Sequence, residues 1–511
     1  MPFNSFSYLL VFLPVACGGF WIFRSRGISN QWMLIWLCCC SLFFSLQVGM
    51  GAVLVLLLSI VIQWFLLQRI ARSGTWMRRV WFVTGLILVI GLLALVKYVD
   101  FLAPTVGAVI TPWRRMLVPL GISFISFQQI AWLVDLYRGT IASAPTFFSY
   151  LAHITFFPSI AAGPISRPGE LSDQLFRLTK RVSAREACVG FFLVLLGTAQ
   201  KVLIADTLIS LTVPVAEAVG RGVHLSFLEA WGTTISYALG LLFDFSGYTD
   251  VAIGSALLIG IRLPVNFDAP YRSKSIVEFW RRWHITLSSF IRDYLYIPLG
   301  GNRYGKIRQY TALLIAMTLA GLWHGAGWTF ICWGWLHGML LVINHGWRGM
   351  RSRVLPSSWI TAGWYAGIAR LLTLFCLLGT WPFFFAPSMG AALSIVRSMV
   401  AVSGIALPRQ MASFLGGIGS GFLSFTLQNQ LVVSLSQWVS VGAVIVIALF
   451  IAAFVPSTTS LFQKWLTLHS DQEQVALPLR PFHAIFFALL TVGTFTMLLL
   501  HGSPQFLYFT F

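Results

Sequence analysis

Runs of about twenty apolar residues recur along this chain, and that repetition restricts the fold more than any motif does. Clear runs cover 6–23, 50–68, 80–97, 187–205, 362–380, 437–455 and 482–500. Each is close to the roughly 20 residues a helix needs to cross the hydrocarbon of a bilayer. Interrupted runs near 32–47, 117–136, 147–165, 229–243, 250–263, 309–323 and 328–345 bring the expectation to about 10–13 spans. The alternating ten-residue pattern of a membrane barrel is absent. Of the 511 residues, 58% are hydrophobic and 10% charged, against about 25% charged in a soluble protein. The reading is an all-α polytopic membrane protein. No Pro/Ser-rich linker, repeat period or pair of matching broken helices divides it, so one integral membrane domain over 1–511 is expected. The N-terminus lacks the charged start and small-residue cleavage site of a signal peptide, and its first apolar run reads as a retained span.

The net charge of +19 would point to nucleic acid in a soluble protein. Here there is no soluble domain to bind it, and no nucleic-acid partner is expected. Arg69, Arg72, Arg78 and Arg79 share one short loop without acids, and Arg348, Arg351 and Arg353 share another. Such loops belong on the cytoplasmic side of a membrane. The seven cysteines are odd in number and show no disulfide or zinc spacing, so they read as small buried hydrophobes.

One region breaks the apolar pattern. Between Asp244 and Gly305 arginines, carboxylates and a histidine stand among tryptophan, phenylalanine and tyrosine, and polar groups at membrane depth are costly enough to mark function. Ser275 with Glu278 three residues on has capping-box spacing. The predicted helix runs from there to about Tyr296, before Pro298, with Trp280, His284, Leu287 and Ile291 on one face. It reads as interfacial or re-entrant, and any irregular backbone there must be covered by protein or line a wet cavity.

Two histidines are the leading chemical candidates. His324 lies between Trp323 and Gly325, separating two apolar runs. It could lock a helix bundle by a hydrogen bond, or act as a general base, since desolvation disfavours the charged ring and leaves a lone pair free. His284 carries the same ambiguity, and His337, in Gly334-Trp335-Leu336-His337-Gly338, is a weaker candidate facing a tunnel or a neighbour. The clustered Arg281, Arg282, Arg292, Arg303 and Lys306 could anchor headgroups or bind a phosphorylated ligand. Asp244, Asp250, Glu278 and Asp293 are expected to neutralise these arginines. No nucleotide-binding glycine loop, zinc spacing or serine-hydrolase elbow occurs, so no metal is expected. The residues alone leave an acyl or phosphoryl transferase and a transporter both open.

At these residues the sequence resembles the membrane-bound O-acyltransferase family, in its bacterial polysaccharide-acetylating branch. The likeness rests on Asp244-Phe245-Ser246-Gly247-Tyr248-Thr249-Asp250, on Pro264-Val265-Asn266-Phe267, and on the run from Glu278 to Arg303. Gly321-Leu322-Trp323-His324-Gly325-Ala326 resembles the segment with the family's signature histidine. Upstream, Phe156-Phe157-Pro158, Ala162-Gly163-Pro164-Ile165, Asp135-Leu136-Tyr137-Arg138-Gly139 and Lys201-Val202-Leu203-Ile204-Ala205-Asp206 also fit, as does the closing Phe506-Leu507-Tyr508-Phe509. The likeness is strongest over 80–345, with peripheral spans from 360 to 511.

The resemblance implies a ring of tilted helices around a central tunnel, with re-entrant or interfacial helices. It assigns His324 as the essential histidine and His284 as the second tunnel histidine, and it implies acetyl-CoA as a donor arriving from the cytoplasm, with no permanently bound cofactor. Arg281, Arg282 and Lys306 are the candidates for its phosphates. Asp244, Tyr248, Asp250, Trp280, Trp283, Asp293, Trp323 and His337 are expected to line or support the tunnel. Because no periplasmic catalytic domain is read in the chain, the implied partners are a periplasmic or membrane-anchored SGNH-type acetyltransferase, a polysaccharide synthase and export complex, and membrane lipids. The implied place is a bacterial inner membrane, and the implied product an O-acetylated exopolysaccharide, alginate or cellulose before peptidoglycan. D-alanyl transfer to teichoic acid, a transporter or flippase without acyl chemistry, and a synthase-anchoring scaffold are the alternatives.

Overall fold

A computed structural model describes residues 1–105, 118–179, 181–400, 405–406, 423–424, 435–467, 481–502 and 506. Among the described residues the regular elements are helices, apart from one parallel pair of two-residue strands, Ile405–Ala406 with Leu423–Ser424. Seven of the described helical stretches are long and apolar enough to cross a membrane: Ser7–Ser25, Asn30–Val48, Met50–Arg72, Thr75–Leu102, Ala184–Gly220, Phe227–Leu258 and Gly363–Phe385. Shorter apolar helices include Met389–Met399, Gly442–Phe454 and Ile485–Leu500. The chain is a multi-pass helical membrane protein.

Several expected boundaries move. The runs at 229–243 and 250–263 form one helix of 32 residues, Phe227–Leu258, about 48 Å long at 1.5 Å per residue. The polar residues between them, Asp244 to Asp250, do not interrupt it because helix hydrogen bonds satisfy the backbone whatever the side chains carry. The run at 147–165 is helical only over Phe147–Thr155. Pro158, Gly163 and Pro164 follow, and proline cannot donate to the helix ladder. The runs at 309–323 and 328–345 lie in helices Lys306–His324 and Trp328–Val354, which fall outside the seven apolar stretches.

This acid-poor chain uses glutamates as helix caps. Glu186, Glu229 and Glu278 each follow a serine by three residues, and in each pair the serine hydroxyl accepts from the glutamate N–H. Glu186 and Glu229 accept in return from the N–H of Ser183 and Ser226. Glu278 instead accepts from the N–H of Lys274 at 2.9 Å. Satisfying these first-turn donors is worth about 0.5–2 kcal/mol per helix.

Two compact units interleave along the chain: Met1–Ala199 with Gly247–Asn266 and the described residues from Thr458 to Phe506, and Gln200–Ser246 with the described residues from Phe267 to Ser457. In the first, Arg24 donates to the carbonyls of Leu178 (2.8 Å) and Ile259 (2.6 Å), and Arg262 pairs with Glu186 at 2.8 Å. Arg78, at the start of its helix, donates to the carbonyls of Leu136 and Tyr137. In the second unit, helices Lys306–His324 and Trp328–Val354 pack at a crossing of small residues. A Cβ on Gly334 would lie 2.3 Å from the Met317 carbonyl oxygen, and one on Gly321 2.2 Å from that of Phe330. Only glycine permits such an approach, a familiar way for helices to associate where hydrophobic driving force is weak. The crossing fixes the residues one turn away, Trp333, His324 and His337. The expected C-terminal likeness at Leu507-Tyr508-Phe509 lies outside the described residues.

Candidate active site

His324, His284 and His337 lie in the second unit, all buried, at 5%, 1% and 0% exposure. His324 is the last residue of helix Lys306–His324. Its ring stands 4.9 Å from Trp323, 5.3 Å from Trp333 at 87°, and 5.2 Å from Phe384. His284 lies 6.3 Å from Trp323, 4.8 Å from Phe245 and 6.3 Å from Phe267. His337 meets Trp333 at 4.5 Å and Trp280 at 5.3 Å. The rings form a chain of contacts from His284 through Trp323, His324 and Trp333 to His337. Edge-on and tilted aromatic pairs of this kind add about 0.5–1.5 kcal/mol each beyond burial, which fixes ring positions.

The predicted helix from Ser275 to Tyr296 is a correction. Ser275 does cap it, accepting from Glu278 at 3.1 Å, but the helix stops at Arg282. A second helix, Ile285–Ile291, follows, then a wider π turn over Arg292–Tyr296. The break falls on His284, whose φ of 43° lies in the left-handed region. For a residue with a Cβ this costs of order 1–3 kcal/mol and persists only where surroundings impose it. Trp283 supplies that constraint, its ring lying 5.5 Å from both Phe279 and Trp381 and 5.2 Å from Phe267. The break removes the shared face expected for Trp280, His284, Leu287 and Ile291, and places His284 as the cap of a new helix.

The basic residues separate into two kinds. Arg281 and Lys306 are exposed. Arg282 donates to Glu278 at 3.0 Å, to the Asp268 carbonyl at 3.2 Å and to the Asp268 carboxylate at 3.3 Å. The Asp268 N–H in turn donates to the Arg282 carbonyl at 2.9 Å. Arg282 therefore ties the loop carrying Phe267 to the short helix. Of the acids expected to neutralise arginines, Glu278 pairs with Arg282 and Asp293 with Arg292 at 2.7 Å. Asp244 lies fully buried 2.7 Å from Lys201, whose ammonium also meets Asp206 at 2.5 Å. This ammonium answers it because helix Phe227–Leu258 brings Asp244 beside the π turn that carries Lys201.

Tyr248 and Asp250 belong to the first unit. The Tyr248 hydroxyl accepts from the Ala162 N–H at 3.1 Å and its ring meets Phe506 and Phe3, while Asp250 accepts from the Thr458 hydroxyl. A further buried histidine, His153, also belongs to that unit, 5.6 Å from Trp132. Sequence reasoning missed Phe245, Trp333, Thr380, Trp381 and Phe384 as members of the histidine cluster. No signal distinguishes them, because aromatic residues fill the whole chain. The lysine–aspartate cluster did carry a signal, charged residues inside apolar helices.

The model of the membrane-bound O-acyltransferase family matches residues 136–384. A peptidoglycan O-acetyltransferase of Helicobacter pylori is 33% identical over 464 residues, covering 83% of this chain and 85% of that protein. The chain belongs to the membrane-bound O-acyltransferase family. A probable alginate O-acetylase of Pseudomonas aeruginosa is 36% identical over 70% of this chain and 69% of its own length. A teichoic acid D-alanyltransferase of Streptococcus thermophilus is 32% identical over 45% of this chain and 58% of that protein. Membership makes this chain an acyltransferase, and the family match spans every member of the histidine cluster from Phe245 to Phe384.

Proposed function

We propose that this acyltransferase moves acetyl from cytoplasmic acetyl-CoA through an inner membrane towards an extracytoplasmic polysaccharide. The observation that carries this reading is the ring-lined setting of His324, with His284 on the far side of Trp323. A thioester carbonyl is already electrophilic, so the protein must supply a deprotonated acceptor hydroxyl and a path free of bulk water. His324 acts either as general base or as transient carrier of the acetyl group, with His284 as the second histidine on the path. Arg281 and Lys306 meet the CoA phosphates, and Arg282 orients the loop beside them. A periplasmic or membrane-anchored acetyltransferase of SGNH type passes the group on to the polymer, in company with a synthase and export complex. Arg24, Arg262 and the arginines at both ends of the 72–75 turn mark the face towards the cytoplasm.

The polymer is a polysaccharide of the kind the relatives' names give, alginate or peptidoglycan, with cellulose also in scope. The longest match favours a peptidoglycan-like target, the sequence blocks an alginate-like one. D-alanyl transfer is the second reading, carried by the Streptococcus relative over a shorter match. The deciding experiment replaces His324 with Ala, verifies membrane insertion, and follows radiolabelled acetyl from acetyl-CoA to polymer. Turnover at the wild-type level in that variant would sink the catalytic assignment. D-alanyl turnover in place of acetyl would move the chain to the second reading.

A further inference from the structure

We infer that Trp280, Trp333 and His337 form a binding site for one hydroxyl group, placed one ring away from His324. The inference rests on the acyl-transfer reading for its role but on separate residues for its chemistry. The three rings touch pairwise, with centroids 4.5 Å apart for Trp333 and His337, 5.3 Å for Trp280 and His337, and 5.9 Å for Trp280 and Trp333. All are at least nine-tenths buried, at 8%, 1% and 0% exposure for Trp280, Trp333 and His337. The indole Nε1 of Trp280, that of Trp333, and Nδ1 of His337 have no hydrogen-bond partner among the described residues. Buried polar atoms are nearly always partnered, so three unpartnered in one cluster call for a ligand.

The tautomer of His337 follows from its other nitrogen. Nε2 lies 3.0 Å from the Thr380 hydroxyl, which donates its one proton to the Leu377 carbonyl at 2.7 Å. Thr380 therefore accepts from Nε2, and Nδ1 keeps its lone pair. The cluster thus offers two N–H donors and one acceptor. A hydroxyl oxygen can accept from both indoles while donating its proton to Nδ1. A carbonyl has no proton to donate, and an ammonium has no lone pair to accept with. Alcohols and water share this set. An alcohol held here donates towards a neutral imidazole, with the Trp333 ring, 5.3 Å from that of His324, between it and the proposed acyl-transfer histidine.

The test uses the full chain in lipid nanodiscs, labelled with ¹⁵N-histidine and titrated with methyl glucoside as the hydroxyl probe. The Nδ1 resonance of His337, identified by its loss in His337→Asn, is expected to shift saturably with the probe. Trp333→Phe and Trp280→Phe keep a ring but remove one donor, and each is expected to weaken that titration about tenfold. Thr380→Val leaves all three rings in place and releases Nε2, so Nδ1 is expected to read as protonated in a fraction of molecules. A resonance that is hydrogen-bonded before any probe and unmoved by it assigns the site to water. A lone pair that reads free throughout, or variants that titrate like the wild type, overturns the site. Loss of polymer acetylation in His324→Ala alongside an unmoved His337 resonance would leave the acyl-transfer reading standing and this inference fallen.

Discussion

Two clusters in the same compact unit bury polar groups by opposite means. Around Lys201, charge answers charge: one ammonium meets Asp244 at 2.7 Å and Asp206 at 2.5 Å, with Lys201 and Asp244 almost completely shut from solvent. Around His324, His284 and His337, aromatic rings supply the walls instead, and the Thr380 hydroxyl meets His337. In an ion cluster of the first kind the charges already answer one another, and a substrate would have to compete with them. A ring-walled cluster confers shape and excludes water while leaving nitrogen edges that a substrate can meet, as at Trp280, Trp333 and His337. The contrast separates two ways of burying polar groups within one apolar protein, and only the second fits the proposed chemistry.

The comparison breaks most directly at its chemical side. Replacing His324 with Ala is expected to lower acetyl turnover by about 10²–10⁴-fold, the range for a positioned proton-transfer group, with normal membrane expression, as read by radiolabelled acetyl transfer. The structural side is tested by Lys201→Met, which strands buried Asp244. The expected cost is about 3–5 kcal/mol, seen as a lower midpoint in detergent thermal unfolding. The double variant Lys201→Met with Asp244→Leu should recover much of that loss, and no recovery would show that the pair has a role beyond charge balance.

A smaller effect is expected where the helices cross. Gly334→Ala puts a methyl 2.3 Å from the Met317 carbonyl, and overpacking of this kind costs about 1–3 kcal/mol. If the crossing positions His324 and His337, turnover should fall by more than the stability loss explains. Equal turnover per folded molecule would confine the glycine to packing. The smallest effect is expected for Arg282→Gln. This half-exposed guanidinium is 32% exposed and bridges Glu278 and Asp268, and such pairs contribute about 0–1 kcal/mol. Arg281→Ser, by contrast, should leave stability unchanged and raise the KM for acetyl-CoA. An unchanged KM would remove Arg281 from the donor site.

Much of this was legible in the residues. The apolar runs gave the membrane class because hydrocarbon length imposes a count that no other fold imposes. The serine–glutamate spacing at Ser275 gave the start of the short helix, since capping is local chemistry. Where local rules met crowding they failed. Nothing in residues 276–296 announces the break at His284, which depends on Trp283 being pinned by Phe279 one turn before it and by Phe267 and Trp381 from two other segments. The acids near the arginines looked like their partners because they were near in sequence. Asp244 answers Lys201, 43 positions earlier in the chain, because two long helices lie side by side.

The sequence by itself determined that the chain is helical, lives in a membrane, and belongs to an acyltransferase family, with His284 and His324 as its candidate residues. Those properties follow from transfer free energies and from motif residues adjacent in the chain. Only the tertiary structure decided which rings enclose those histidines, that Thr380 orients His337, and that Tyr248 and Asp250 belong to the other unit. Ring contacts and buried hydrogen bonds join residues tens of positions apart, and in a chain rich in phenylalanine and tryptophan composition cannot say which of them meet.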